Sequence, residues 1–312
     1  MWLNYLLAAL LFKTFENMAT TAETLDYNVK PNLTSISWAH AVNSQGFLSE
    51  VLNGNVNFIE ADISMGFLED DILNQNLIPI MAHPPAIKSD LSLKGFLDQV
   101  LAFNMIANTS HVKGIKLDFK SIEAFEQSIE IIQSRYNTLK FTTWINADIL
   151  SGPVNNIATL PVDPVRFFDA VKHLERVVLS IGWTTKWSND DAEGQYTDAN
   201  IQEMIKTIKM NGIDIAGNDI TFPIRAGIAA NSLKEMINLY CALNNTNSVT
   251  FTIWSSADDA VNVDKLRELI FTMGLDKMYV DVPDQLEKQL NLNVDPFKNT
   301  CKKVIDARCH HD

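Results

Sequence analysis

From residue 35 to about residue 285, short apolar runs alternate with helix-length amphipathic stretches, and no stretch rich in proline, glycine or serine breaks the rhythm. That alternation restricts the chain more than any other feature. Strands regularly separated by helices pair in parallel, and over ~250 residues such a chain either closes into a barrel or lies open as a doubly wound sheet. Without a linker the single unit is favoured, so the reading is a TIM-like (β/α)8 barrel of the α/β class, with the open sheet as the alternative.

The candidate strands are SISWAH (35–40), NFIEADIS (57–64), IPIMAH (78–83), GIKLDFK (114–120), FTTWINADI (141–149), RVVLSIGW (176–183), DITFPIRA (219–226), SVTFTIWS (248–255) and KMYVDV (277–282). Most read as continuous apolar runs, as strands buried on both faces do. Helical spacing marks 91–104, 121–136, 163–174, 197–212, 232–244 and 263–274, several opening on Ser, Thr or Asp and two closing on Gly. Nine runs for the eight positions of a barrel imply one excursion, most simply a hairpin-like sharing between 57–64 and 78–83. The division is then an apolar leader (1–28), one barrel (29–290) and a C-terminal tail (291–312).

The net charge of −13 comes with no basic run or stripe, which excludes long nucleic acid as a partner. A single nucleotide or a phospholipid headgroup stays compatible, because a bound cation reverses the sign of an acidic pocket. The opening MWLNYLLAALLF is far short of the ~20 residues a membrane span requires. It is long enough for the core of a signal peptide, with Ala19 and Ala22 following, although a basic start is missing. Together with glycosylation triplets at Asn32, Asn108 and Asn244, this gives the expectation of a secreted glycoprotein, or a cytoplasmic protein if the leader is not a signal. Cys301 and Cys309 are expected to close a small loop, leaving Cys241 as a buried thiol. Cys309 to Asp312 offer metal-binding side chains but no fixed geometry.

Barrel active sites lie at the C-terminal ends of the strands. Here His40 ends the first run, Glu60 and Asp62 the second, His83 the third, and Asp118 with Lys120 the fourth. Residues two apart on a strand share a face, so Glu60 pairs with Asp62 and Asp118 with Lys120. Three converging carboxylates repel one another unless a hard cation sits between them, which implies one Mg²⁺ or Ca²⁺. Two flanking histidines supply what phosphodiester cleavage needs, a group that takes a proton and a group that gives one. Asn146 and Asp148 either extend this site or hydrogen-bond its rim, and Trp144, Trp183 and Trp187 read as packing.

WAHAVNS (38–44), IEADIS (59–64), PIMAHPP (79–85) and GIKLDFK (114–120) resemble signature blocks of the menorin family, and the resemblance continues through TWINADIL, LSIGWTT, TFPIRA and TIWS. More distantly the pattern is similar to the glycerophosphodiester phosphodiesterase and venom sphingomyelinase D superfamily, whose barrel is of the phospholipase C-like type. That resemblance implies His40 and His83 as catalytic, Glu60, Asp62 and Asp118 as metal ligands, Lys120 near the phosphate and Trp254 lining the pocket. Two positions depart from it: Ala41 stands where an arginine follows the first histidine, and Pro84 where an acid follows the second. Arg225 or Lys116 is the available substitute for the arginine. The implied activity is metal-dependent cleavage of a glycerophosphodiester, phospholipid headgroup or nucleotide, by water or by a neighbouring hydroxyl. The alternative is a secreted, non-catalytic protein whose barrel is a scaffold for extracellular protein partners.

Overall fold

The computed structural model describes residues 31–108, 111–135, 141–154, 159–187, 194–294 and Cys309. The expected leader, Cys301, the tail motif beyond Cys309 and the second and third positions of the Asn108 triplet lie outside the described residues. No described helix is long and apolar enough to cross a membrane.

Eight strands follow one another in a single parallel path: β1 (Trp38–Ala39), β2 (Phe58–Leu68), β5 (Gly114–Phe119), β6 (Thr143–Ser151), β7 (Val177–Thr184), β8 (Ile220–Arg225), β9 (Val249–Trp254) and β10 (Met278–Asp281). β3 (Ile78–Met81) and β4 (Lys88–Ser89) stand off that path, and both pair with the overlong β2. β3 runs antiparallel to it, from Ile63 opposite Met81 to Gly66 opposite Ile78, which is the hairpin-like excursion the surplus run implied. No backbone ladder joins β1 to β10 among the described residues. Their seam is bridged by side chains, Trp38 against Tyr279 and His40 against Asp281.

The main helices are α1 (Gln45–Asn53), α2 (Leu93–Ile106), α3 (Ile122–Gln133), α4 (Pro164–Val171), α5 (Asp198–Met210), α6 (Ala226–Ala229), α7 (Leu233–Leu243), α8 (Val263–Met273) and α9 (Asp284–Leu290). Their starts follow from side-chain chemistry. Ser44, Ser92, Ser121, Asp163, Thr197 and Asn262 each accept a hydrogen bond from a backbone N–H of the first turn, which has no partner inside the helix. At the other end of α8, Gly274 takes φ +100°, a conformation that side chains disfavour.

The strands correct one expectation. Both faces are largely buried, as expected, but β2, β5 and β6 are alternations rather than continuous apolar runs: Ile59, Ala61 and Ile63, Ile115 and Leu117, and Ile145 and Ala147 are fully buried on one face, while Glu60, Asp62, Lys116, Asp118 and Asn146 occupy the other. The apolar face meets the helices. Along the inner face, Trp38, Phe58, Trp144 and Tyr279 touch at centroid distances of 4.8 to 6.1 Å, although they come from strands that are not all neighbours. Such contacts are available only across the lumen, so these rings form its floor. Above them lies a polar layer of Glu60, Lys116, Asn146, Ser180, Thr221 and Thr252, all buried.

The cysteine expectation is also overturned. Cys241, on α7, is bonded to Cys309, 68 residues away, so it is no free thiol and the small 301–309 loop does not form. Proximity in sequence misled because the last described residue returns to pack against the half-buried face of α7.

Candidate functional site

The polar face of β2 and β5 builds the centre of the mouth. In register, Glu60 stands opposite Lys116 and Asp62 opposite Asp118, so three acids and a lysine share one face on two rungs that only the Ala61–Leu117 pair separates. Carboxylate oxygens of Glu60, Asp62 and Asp118 all lie within 4.8 Å of one another. Lys120 Nζ donates to Asp62 Oδ1 at 2.7 Å and to Asp118 Oδ2 at 2.5 Å. Burial alone would favour the neutral amine, but Asp118, Asp62 and Glu60 outweigh it and hold Lys120 firmly protonated. For Asp118 the balance runs the other way: burial raises its carboxyl, while Lys120 and Lys116 prevail and hold it below the usual range. Lys116 is 4 % exposed, and its ammonium makes no hydrogen bond among the described residues.

His40 closes the site across the barrel seam. Its Nδ1 lies 3.0 Å from Asp281 Oδ2 and 3.4 Å from Glu60 Oε2. A carboxylate only accepts, so Nδ1 carries a proton. Burial disfavours the charged ring, yet Glu60 and Asp281 overcome it and raise its pKa to about 9. At neutral pH both ring nitrogens therefore bear protons. Burial in turn pushes the Glu60 carboxyl up, against the pull of His40.

The residues that follow the two histidines, Ala41 and Pro84, each contact the site through the backbone. Ala41 adopts φ +55°, a strained value for a side-chain-bearing residue, and its amide donates to Glu60 Oε2 at 2.7 Å. The backbone thus holds the acid. The Pro84 carbonyl accepts from His83 Nδ1 at 2.6 Å, which leaves Nε2 as the nitrogen with the lone pair. His83 is exposed and touches none of the acids among the described contacts, although its neighbour Ala82 is bound to the rim through its amide, which donates to the Asp62 carbonyl at 2.9 Å.

Arg225 and Trp254 form a separate group at β8 and β9. The Arg225 guanidinium lies 4.9 Å from the Trp254 ring centre and is gripped bidentately by Asp259, at 2.8 and 2.6 Å. No described contact joins it to Glu60, Asp62 or Asp118. Three residues, Asn43, Ser180 and Asp281, complete the acidic centre without having been singled out, and Asn146, weighed as an extension of the site, joins it. Asn43 donates to Asp62 and accepts from its amide, Asn146 donates to Asp118 at 2.6 Å, Ser180 donates to Asn146, and Asp281 holds His40. Asp281 had a readable signal, since it is the acid that ends the predicted run 277–282.

A parallel barrel with buried carboxylates, lysines and a charged imidazole gathered at the strand ends defines a TIM-like protein with a polar, acid-lined mouth. The chain belongs to the menorin family: the menorin N-terminal domain matches residues 32–287. It is similar to Protein FAM151B of Homo sapiens, with 34% identity over 232 residues that span 74% of this chain and 76% of that protein. Among solved structures it resembles a psychrophilic family 10 endo-β-1,4-xylanase, with 10% identity, 83% of this chain and 97% of that chain covered, and a TM-score of 0.45. The Ignisphaera aggregans GH53 catalytic domain aligns with 12% identity over 84% of this chain and 92% of that one, at a TM-score of 0.39.

Proposed function

We propose that this protein is a metal-dependent phosphodiesterase whose substrate is a glycerophosphodiester, a phospholipid headgroup or a nucleotide. The observation that carries this reading is the convergence of Glu60, Asp62 and Asp118 oxygens within 4.8 Å at the strand ends. An all-oxygen set of this kind suits Mg²⁺ or Ca²⁺. Glu60, Asp62 and Asp118 would hold the ion, which when bound neutralises charge on the phosphoryl oxygens.

The remaining roles belong to side chains of this protein. His40, doubly protonated and oriented by Asp281, gives a proton from Nε2 to the leaving oxygen. His83, its Nδ1 proton engaged by Pro84, takes a proton at Nε2 from the attacking water or hydroxyl. Lys120 supplies positive charge beside the phosphate, in contact with Asp62 and Asp118. The grip of Asp259 on Arg225 makes Lys116 the better substitute for the arginine absent at Ala41. The Cys241–Cys309 bond supports an oxidising setting, as in the secretory lumen or outside the cell.

A second reading has its own observation. Lys120 already neutralises two of the three acids, so the same mouth is electrostatically tolerable without an ion, as in a scaffold that only binds extracellular protein partners. One experiment separates the two. Metal content and hydrolysis of phosphodiesters are measured on the wild type and on the Glu60→Ala, Asp62→Ala double variant. The enzymatic reading expects Mg²⁺ or Ca²⁺ and turnover in the first and neither in the second. Equal metal content and no turnover in both would leave only the scaffold.

A further inference from the structure

The inner face of β6 carries a carboxyl that the reaction outlined above does not use. Asp148 follows Asn146 by two residues, on the same face, one rung further toward the mouth. The register places it opposite Gly182 on β7, and the ladder then steps from that pair directly to Leu150 opposite Trp183. Ile149 is thus the extra residue of a bulge, a device that re-aims the side chain beside it. Gly182 leaves room for the carboxyl: a Cβ there would come within 2.8 Å of Asp148 Oδ1 and within 2.8 Å of the Pro223 ring. The carboxyl therefore lies over the gap in the wall, next to Pro223.

The other acids of the mouth are committed. Glu60 is held by an amide, Asp62 by Asn43 and Lys120, Asp118 by Lys120 and Asn146, and Asp281 by His40. The Asp148 carboxyl makes no hydrogen bond among the described residues. Burial, then the charge of Asp118, pushes its pKa up to about 7, against Lys120 and Lys116. A carboxyl without a partner accepts a hydrogen bond whether or not it carries a proton. An alcohol supplies the proton for such a bond, whereas the ionised oxygens of a phosphodiester only accept.

We infer that Asp148 binds a free hydroxyl on the alcohol portion of the substrate, so that the site is built for phosphodiesters of a polyol such as glycerol or a sugar. The inference rests on the phosphodiesterase reading, and the test keeps the two apart by using two substrates. One is sn-glycero-3-phosphocholine, which carries free hydroxyls. The other is bis(4-nitrophenyl) phosphate, which carries none.

Asp148→Ala is expected to lower kcat/KM for the glycerol ester by about tenfold and to leave bis(4-nitrophenyl) phosphate within about twofold. Asp148→Asn, which keeps a donor and an acceptor in the same volume, should recover most of the loss. Gly182→Ala should reproduce the selective loss by displacing the carboxyl. Thermal unfolding checks that each variant is folded, and the near-isosteric Asn variant guards against collapse of the Ala one. An equal loss on both substrates, no loss on the glycerol ester, or an Asn variant as impaired as the Ala variant would overturn the role of Asp148 while leaving the phosphodiesterase reading intact. A wild type inactive on both substrates would overturn both.

Discussion

Adjacent residues of the same strand live under opposite rules in this barrel. On the outer face of β2, β5 and β6, Ile59, Leu117 and Ile145 are fully buried against helices. One residue further along, Glu60, Asp118 and Asn146 face a lumen that is polar from its second layer upward. Barrel interiors are commonly filled by branched aliphatic side chains. Here only the aromatic floor plays that part. The difference teaches that stability and chemistry are assigned by parity: the outer face and the floor hold the fold, and the inner face above the floor is free to carry charge at some cost in stability.

The sharpest way to test that division is Leu117→Ala against changes on the inner face. Leu117 is fully buried. Its truncation is expected to cost about 2–5 kcal/mol, from lost burial plus the cavity left behind. Measured by chemical denaturation, the loss should be the same with and without divalent cation. Activity per folded molecule should not change. A cation-dependent loss would mean that the two faces are not separable.

The disulfide tests the outer layer at longer range. Joining Cys241 to Cys309 closes a loop across a separation of 68 residues, and Cys241 packs on the outer core. Cys241→Ser is expected to lower stability by roughly 2–4 kcal/mol. Wild type in strong reductant should match the variant. Cation affinity, read by calorimetry, should be unaltered.

Lys120 breaks the comparison from the inside. Its ammonium is the counter-charge of Asp62 and Asp118, and Lys120→Met leaves two largely buried acids facing each other. The expected cost is about 2 kcal/mol in the presence of a chelator, lower than for a fully buried pair because about a fifth of the Lys120 side chain is open to solvent, 22 %. Added Mg²⁺ or Ca²⁺ should restore much of it, and the variant should bind the ion at least as tightly as wild type. A thermal shift that ignores the cation would mean that the three acids do not form an ion site.

How much of this was legible in the sequence follows the same parity. The barrel, the excursion of 78–83 and the acids Glu60, Asp62 and Asp118 were readable because each depends on local spacing along a strand. The polar character of the lumen was masked, since one polar residue between two apolar ones still reads as an apolar run. Contacts that exist only after closure were out of reach. Asp281 meets His40 across 241 positions, and Cys309 meets Cys241 across 68. His83 lies two residues past β3, the antiparallel excursion, and its ring answers to the Pro84 carbonyl rather than to the acids. Arg225 likewise ends its strand as expected, while Asp259, from the loop after β9, determines what its guanidinium does.

A last effect concerns pH, and its sign distinguishes an inner-face carboxyl from any outer-face residue. Burial raises Asp148 from 3.8 to about 7. A raised folded-state pKa means that the folded protein binds the proton more tightly than the unfolded chain. The associated stabilisation is complete below the unfolded value and is lost as pH rises through about 7. Asp148→Asn removes this dependence while preserving volume. The difference in melting temperature, variant minus wild type, should therefore grow in favour of the variant between roughly pH 4 and pH 7 and then level off. Leu117→Ala, compared with wild type across the same range, should give a constant difference. If Asp148→Asn gave a flat difference as well, Asp148 would be an ordinary solvated acid rather than a carboxyl desolvated in the wall beside Gly182.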